Sequence, residues 1–278
     1  MQVNTGLKYA KMSISVAGIN VVITSTNSGL LAALQTRYQD YLEEGGVKLE
    51  VIINLKGGHR ESSLLDTGTT FKEKMCVFTA PGYEGYIDID EKYGELNLSS
   101  RRPVEEVDYY LRVAYALLAF DVGGLMFHTA GIVRKGEAHL FFGHSGSGKT
   151  TVSRVSKNDI VLNDDLLILL PQSSGNQENR TWIASSTPFW NPSQVQPTHR
   201  SAPVAGIYRL VQDHDVYLEP MGSGQALAEM ISNIPVIPDD PARGIELLKR
   251  GSSILEDVPA YRLHFLPDDS FWGVIDST

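Results

Sequence analysis

The stretch from Gly143 to Thr150 constrains the fold of this chain more than any other part of the sequence. It reads Gly-His-Ser-Gly-Ser-Gly-Lys-Thr and fits G-x-x-x-x-G-K-[ST], the pattern of a phosphate-binding loop. Glycines permit backbone torsions that other residues resist, so successive N–H groups can point into one cavity. In such a loop Lys149 reaches the β- and γ-phosphates of a nucleotide, and Thr150 offers its hydroxyl to Mg²⁺. The residues expected to contact the nucleotide are Gly143, His144, Ser145, Gly146, Ser147, Gly148, Lys149, Thr150 and Thr151.

The residues on both sides of this loop fit the strand–loop–helix context that the motif requires. The apolar run 138–142 predicts a short buried strand, and residues 149–157 predict a short helix. Residues 160–163 predict the next strand, directly followed by Asp164 and Asp165. Strands that alternate with helices in this way predict an α/β fold around the loop.

Two adjacent carboxylates after a strand supply the acidic groups that a phosphate loop needs. Asp164 is the candidate Mg²⁺ ligand together with Thr150, and Asp165 is the candidate base for an attacking hydroxyl. His128 lies on a predicted strand, residues 125–133, and a turn at residues 134–137 joins this strand to the loop strand. Such a hairpin would bring His128 to the sheet edge that carries the phosphate loop, within roughly hydrogen-bonding reach, a few ångströms, of a bound γ-phosphate.

Composition restricts the classes of partner. The chain has 278 residues and a formal net charge of −9, and no basic run stands out, so neither nucleic acid nor an anionic membrane is an expected partner. Its one cysteine, Cys76, excludes an internal disulfide and a thiolate-rich metal cluster. Together with an N-terminus that lacks an apolar signal region, this composition predicts a cytoplasmic protein.

The chain is expected to form two domains. Residues 1–102 predict a small α+β domain without recognisable chemistry, and Arg101-Arg102-Pro103 marks the boundary to a second domain, 103–278. The second domain opens with a strongly periodic helix, 104–120. Farther along, residues 204–211 and 216–219 predict a pair of neighbouring strands, and 241–257 predict a helix.

From about residue 104 to its end the sequence resembles the bacterial HPr kinase/phosphorylase family. The resemblance rests on Leu125-Met126-Phe127-His128, on the loop, and on Leu162-Asn163-Asp164-Asp165. It implies a mixed β-sheet kinase core with a phosphate loop, related in fold to phosphoenolpyruvate carboxykinase. For individual residues, the resemblance implies that Lys149 contacts the phosphates, Asp165 accepts the proton of a substrate serine, and His128 lies beside the transferred phosphate. Shorter HPr-kinase-like proteins resemble the chain most.

The resemblance therefore implies an ATP- and Mg²⁺-dependent kinase that phosphorylates a hydroxyl, a serine of a protein or peptide. Thr151 takes the place of the family's Glu after the loop, and the glycine-rich segment associated with phosphorolysis is missing, so the return reaction is not expected. Two alternatives stay open: a nucleotide-binding regulatory or assembly protein with little turnover, and a kinase of a small molecule. The sequence also leaves the oligomeric state open, a homo-oligomer included.

Overall fold

A computed structural model of the chain describes residues 9–60, 68–72, 75–173, 180–190, 193–236 and 241–278. It divides into two compact units, Met1–Leu118 and Ala119–Thr278. Each unit is built around one mixed β-sheet, which confirms the predicted combination of α and β structure. The predicted domain boundary lies before the first long helix of the second domain, whereas the division of the structure lies near the end of that helix.

The first unit contains a seven-stranded sheet in the order β1-β2-β3-β7-β6-β5-β4. Strands β2 and β3 and strands β3 and β7 pair in parallel, and all other neighbours in this sheet are antiparallel. The described elements are β1 (Ala10–Val16), β2 (Ile19–Ser25), α1 (Ser28–Arg37), a 3-10 turn (Gln39–Tyr41), β3 (Val47–Arg60), β4 (Gly68–Lys72), β5 (Met75–Ala80), β6 (Tyr83–Asp88), β7 (Tyr93–Ser100) and α2 (Pro103–Asp121).

Helix α2 belongs largely to the first unit because its tyrosines bind that unit's strands. The Tyr110 hydroxyl donates to the carbonyl oxygen of Tyr86 on β6 at 2.7 Å, and the Tyr115 hydroxyl donates to Ile14 on β1 at 2.7 Å. Both rings are fully buried. The 3.6-residue period thus marks a helix, as predicted, but it does not say which sheet the helix covers.

The second unit contains an eight-stranded sheet, in which β10, β8, β11, β12, β13, β15 and β14 follow one another and β9 pairs with both β8 and β13. Its elements are β8 (Leu125–Arg134), β9 (Glu137–Phe142), α3 (Lys149–Val155), β10 (Ile160–Asn163), β11 (Leu166–Ser173), β12 (Arg180–Ser186), β13 (Ser201–Gln212), β14 (Tyr217–Pro220), α4 (Ser223–Ile231), α5 (Pro241–Asp257), β15 (Ala260–Phe265) and α6 (Phe271–Ile275).

The hairpin predicted ahead of the loop is present. Strands β8 and β9 pair antiparallel from Thr129 opposite Phe142 to Arg134 opposite Glu137. Lys135 and Gly136 form its turn with positive φ values of 54° and 90°, the combination that suits the right-handed twist of the two strands. Strand β9 then leads directly into the glycine-rich loop.

One predicted strand pair is wrong. Strands β13 and β14 are not neighbours, because β15 lies between them: it pairs in parallel with β13 and antiparallel with β14. Ile207 is opposite Ala260, and Tyr217 is opposite His264. The short distance in sequence between β13 and β14 favoured direct pairing, but β15, from near the end of the sequence, lies between them.

Candidate functional site

The glycine-rich loop is held in a conformation that requires glycine at specific positions. Gly146 and Gly148 have φ values of +80° and +111°, in the region that L side chains rarely adopt. A Cβ atom on Gly148 would also lie 2.5 Å from Cζ of Phe265, so the Phe265 ring packs directly against the loop backbone. The loop is closed by a hydrogen bond from the Ser147 N–H to the His144 carbonyl oxygen at 3.1 Å.

The Lys149 side chain folds back over this loop. Its ammonium donates to the carbonyl oxygen of Gly143 at 2.8 Å. Burial lowers the pKa of Lys149, while the nearby carboxylates of Asp165 and Asp164 act in the opposite direction. A partly desolvated ammonium held against a glycine-rich loop is a suitable partner for an oxyanion such as phosphate.

Asp164 is a buried carboxylate, 2% exposed, beside the threonine of the loop. Burial raises its pKa above the ordinary value, and hydrogen bonds from the Val195 backbone N–H and from the Thr150 hydroxyl oppose that rise. The Val195 N–H reaches Oδ2 at 3.2 Å, whereas Oδ1 is buried and has no hydrogen-bond partner among the described residues. An unpaired buried carboxylate oxygen next to a hydroxyl is the kind of donor set that fits a hard cation such as Mg²⁺.

Asp165 contacts the histidine that the sequence singled out. His128 Nε2 lies 3.0 Å from Asp165 Oδ1, and the two side chains are 39% and 17% exposed. The chain passes from β10 through the Asp pair into β11 while remaining beside β8, since Asn163 is opposite Gly131 and Leu166 is opposite His128. The Asp pair is therefore an interruption between two strands that share one neighbour, and this arrangement brings Asp165 to His128.

Asn163 shapes this interruption between the strands, although it is not among the predicted site residues. Its side chain is fully buried, and its Oδ1 accepts the backbone N–H groups of Asp165 at 2.7 Å and Leu166 at 3.2 Å. Its Nδ2 donates to the carbonyl oxygens of Thr187 at 3.0 Å and Phe189 at 3.2 Å. A buried amide satisfied on both sides fixes the backbone at Asp165 and at the start of β11. The only available signal was an Asn directly before an Asp pair, a residue type that bonds its own following backbone.

These side chains meet in one cavity of about 310 Å³. The predicted residues that line it are His128, Ser145, Gly146, Gly148, Lys149, Thr150, Thr151, Asp164 and Asp165. Three other predicted residues, Gly143, His144 and Ser147, do not line it but shape the loop through the contacts given above. Gln194 and Gln212 also line the cavity, although neither belongs to a motif that could have marked it in the sequence. Gln212 donates from Nε2 to the Gly146 carbonyl oxygen at 2.9 Å.

Two features are absent from the described part of the chain. None of the helices there is both long enough and apolar enough to pass through a membrane. The described ranges also contain no group of three or more His, Cys, Asp or Glu side chains that could by itself hold a metal ion.

Fold and site together define an α+β protein with two mixed sheets and a glycine-rich loop that opens into a cavity with two carboxylates. The chain belongs to the family described as SynChlorMet cassette protein ScmC, whose family model matches residues 106–278. No curated protein matches the chain. Among solved structures, it is similar to the Hpr(Ser) kinase/phosphatase from Coxiella burnetii, with 15% identity and a TM-score of 0.25 over 47% of this chain and 89% of that chain.

Proposed function

We propose that this protein is a kinase that transfers the γ-phosphoryl group of ATP, with Mg²⁺, to a hydroxyl group, a serine of a protein or peptide. The observation that carries the proposal is the meeting of Lys149, Thr150, Asp164, Asp165 and His128 around one cavity. Phosphoryl transfer needs a cation for the phosphates, oxygen ligands for a metal, and a group that accepts the proton of the nucleophile. The cavity offers a separate side chain for each need.

Phosphate and metal binding are assigned to the loop side of the cavity. Lys149 would exchange its bond to the Gly143 carbonyl for a charge-assisted bond to a phosphate oxygen. Thr150 and the unpaired Oδ1 of Asp164 would hold Mg²⁺ together with phosphate oxygens, as is usual for this ion. When bound, the metal neutralises negative charge that develops on the phosphate oxygens.

Proton transfer is assigned to the Asp165–His128 pair. An imidazole with its proton on Nε2 donates to Asp165 Oδ1 across the 3.0 Å contact and orients the carboxylate that is to take the proton of the acceptor hydroxyl. As the hydroxyl oxygen bonds to the γ-phosphorus, the bond from that phosphorus to the β,γ-bridging oxygen breaks and ADP leaves. The hydroxyl proton passes to the Asp165 carboxylate.

The proposed phosphate acceptor, a serine, is inferred from the sequence and not from the geometry of the cavity. A serine of a protein or peptide is favoured by the resemblance of the segments around His128 and the Asp pair to HPr kinases. The single cysteine, Cys76, supports action in the reducing cytoplasm. The negative net charge, −9, supports acceptors other than nucleic acid.

The proposal is tested by incubating the purified protein with γ-labelled ATP, Mg²⁺ and a lysate of its own host. We expect label on a protein acceptor with the unmodified chain, and no label with Lys149→Ala. Asp165→Asn should bind ATP nearly normally but lose transfer by roughly 10² to 10⁴, as for a lost general base. Asp121→Asn, which changes an exposed carboxylate at the end of α2, is the matched control and should transfer normally.

Each failure has a distinct meaning. ATP binding without transfer to any acceptor would contradict the kinase assignment and favour a nucleotide-binding regulator. Label that appears only on small molecules would contradict the acceptor class. Absence of ATP binding, in protein shown beforehand to be free of nucleotide, would contradict the whole proposal.

A further inference from the structure

Three parallel strands of the second unit end at the edge that carries the glycine-rich loop. Strand β13 pairs in parallel with β9 on one side and with β15 on the other. Arg209 is opposite Phe142, the last residue before the loop, and Gln212 is opposite Phe265, the last residue of β15. Ligands of open α/β sheets bind outside the carboxyl ends of parallel strands, so the segments that follow β13 and β15 lie where a ligand of the loop would extend.

These segments line a second cavity, of about 570 Å³, that adjoins the first. Its lining residues are Thr151, Gln212, Asp213, His214, Phe265, Leu266 and Pro267. Thr151 and Gln212 line both cavities, so a ligand that fills one can continue into the other. Phe265 fixes this wall relative to the loop, because its ring packs against Gly148. The volume is in the ordinary range for a small-molecule site.

The lining of the second cavity divides into an apolar and a polar part. Phe265, Leu266 and Pro267 follow one another at the end of β15 and supply an apolar wall. Asp213 supplies the polar part, with a carboxylate side chain that is 32% exposed. The combination suits a ligand with a flat ring at one end and hydroxyl groups at the other.

Asp213 is held in place by neighbouring donors. Its Oδ2 lies 2.8 Å from Nδ1 of His264, whose ring stacks on Tyr217 with centroids 4.1 Å apart. Its Oδ1 accepts the backbone N–H of His214 at 2.6 Å. Each carboxylate oxygen has a second lone pair, so the fixed carboxylate can still accept hydrogen bonds from a ligand in the cavity.

We propose that this cavity binds the nucleoside of a ribonucleotide whose phosphates occupy the loop, with the Asp213 carboxylate accepting hydrogen bonds from the ribose 2′- and 3′-hydroxyls. The base then lies against Phe265, Leu266 and Pro267. Asp213 is the residue that distinguishes ribonucleotides from 2′-deoxyribonucleotides, since loss of the 2′-hydroxyl leaves the carboxylate without one donor. This inference rests on the proposed function, because it assumes that the loop holds the phosphates of a nucleotide.

The test compares dissociation constants for ATP, 2′-deoxy-ATP and inorganic triphosphate, all with Mg²⁺, by calorimetry on the full chain. The unmodified protein should bind ATP roughly tenfold or more tightly than 2′-deoxy-ATP, the effect of one hydrogen bond to a charged group. Asp213→Ala should bring the two nucleotides to within about twofold of each other, and should bind triphosphate no more weakly. Asp215→Ala, an exposed carboxylate two positions along that does not line the cavity, should keep the original ratio.

The outcomes separate this inference from the proposed function. If triphosphate binds as tightly as ATP, or if ATP and 2′-deoxy-ATP bind equally tightly, the nucleoside site is overturned. The phosphate site is not affected by either result. A ratio that survives Asp213→Ala would overturn the role of Asp213. Failure of triphosphate and nucleotides alike to bind would overturn the proposed function as well. The ratio in the unmodified protein does not depend on whether any variant folds.

Discussion

Replacing Asn163 by alanine tests how the structure holds the Asp pair in place. The side chain is fully buried between the Asp164–Asp165 segment and residues 187–189, and it bonds backbone groups on both sides. Alanine removes the acceptor for the N–H groups of Asp165 and Leu166 and the donor for two carbonyl oxygens. It also leaves a small void at a position that is itself fully buried.

The expected loss of stability follows from those orphaned groups. Each buried donor left without an acceptor costs about 1–3 kcal/mol, so the two N–H groups alone cost about 2–6 kcal/mol. That is a large share of the roughly 5–15 kcal/mol by which a typical domain is stable. The backbone of Asp165, directly after Asp164, also loses the bond that fixes it, so we expect Asn163→Ala to weaken Mg²⁺-dependent ATP binding even where the protein remains folded.

Urea denaturation followed by tryptophan fluorescence measures the first effect, and calorimetric titration with MgATP below the transition measures the second. Asn97→Ala is the matched control, because the Asn97 side chain is only partly buried and is bonded to side chains rather than to backbone: it donates to Glu95 at 3.2 Å and accepts from Asn54 at 3.2 Å. This control should change the free energy of unfolding by less than about 1.5 kcal/mol. A loss below about 1 kcal/mol for Asn163→Ala, comparable to the control, would show that the buried hydrogen bonds do not fix the Asp pair.

Three further predictions concern the loop, the metal and pH. Asp164→Asn should raise the Mg²⁺ concentration needed for ATP binding by roughly tenfold or more, and an unchanged Mg²⁺ titration would contradict the assignment of that carboxylate to the metal. Gly148→Ala must adopt a φ of +111° and place Cβ 2.5 Å from the Phe265 ring, whereas Gly136→Ala has a φ of +90° and nothing within 4 Å. Gly148→Ala should therefore destabilise the protein by about 1–3 kcal/mol more than Gly136→Ala in urea, and equal losses would refute the contact. Burial lowers the pKa of His139 from 6.5 to about 4. Between these values the unfolded chain binds more protons, so stability should fall as pH drops from about 6.5 to 4, by on the order of 3 kcal/mol. His139→Gln should abolish that part of the pH dependence in urea titrations, and an unchanged slope would show that His139 does not cause it.

The sequence by itself determined the local elements around the site. The G-x-x-x-x-G-K-[ST] pattern, the apolar run before it and the turn residues Lys135 and Gly136 gave the hairpin, the loop and the start of α3. Helix α5 was predicted with its observed bounds, Pro241–Asp257. These features depend on torsional preferences and hydrophobic periodicity over a few neighbouring residues, which the sequence displays directly.

Only the tertiary structure decided which distant residues meet. It placed β15 between β13 and β14, and this position brought Phe265 and Asp213 to the same edge as the loop. It also brought Asp165 to His128 and buried Asn163 against residues 187–189. Strand pairing joins segments far apart in the chain through backbone hydrogen bonds that any residue except proline can donate, so residue types alone do not encode the partner. The candidate residues could be read from the sequence, whereas their contacts and the second cavity exist only once the sheet is assembled.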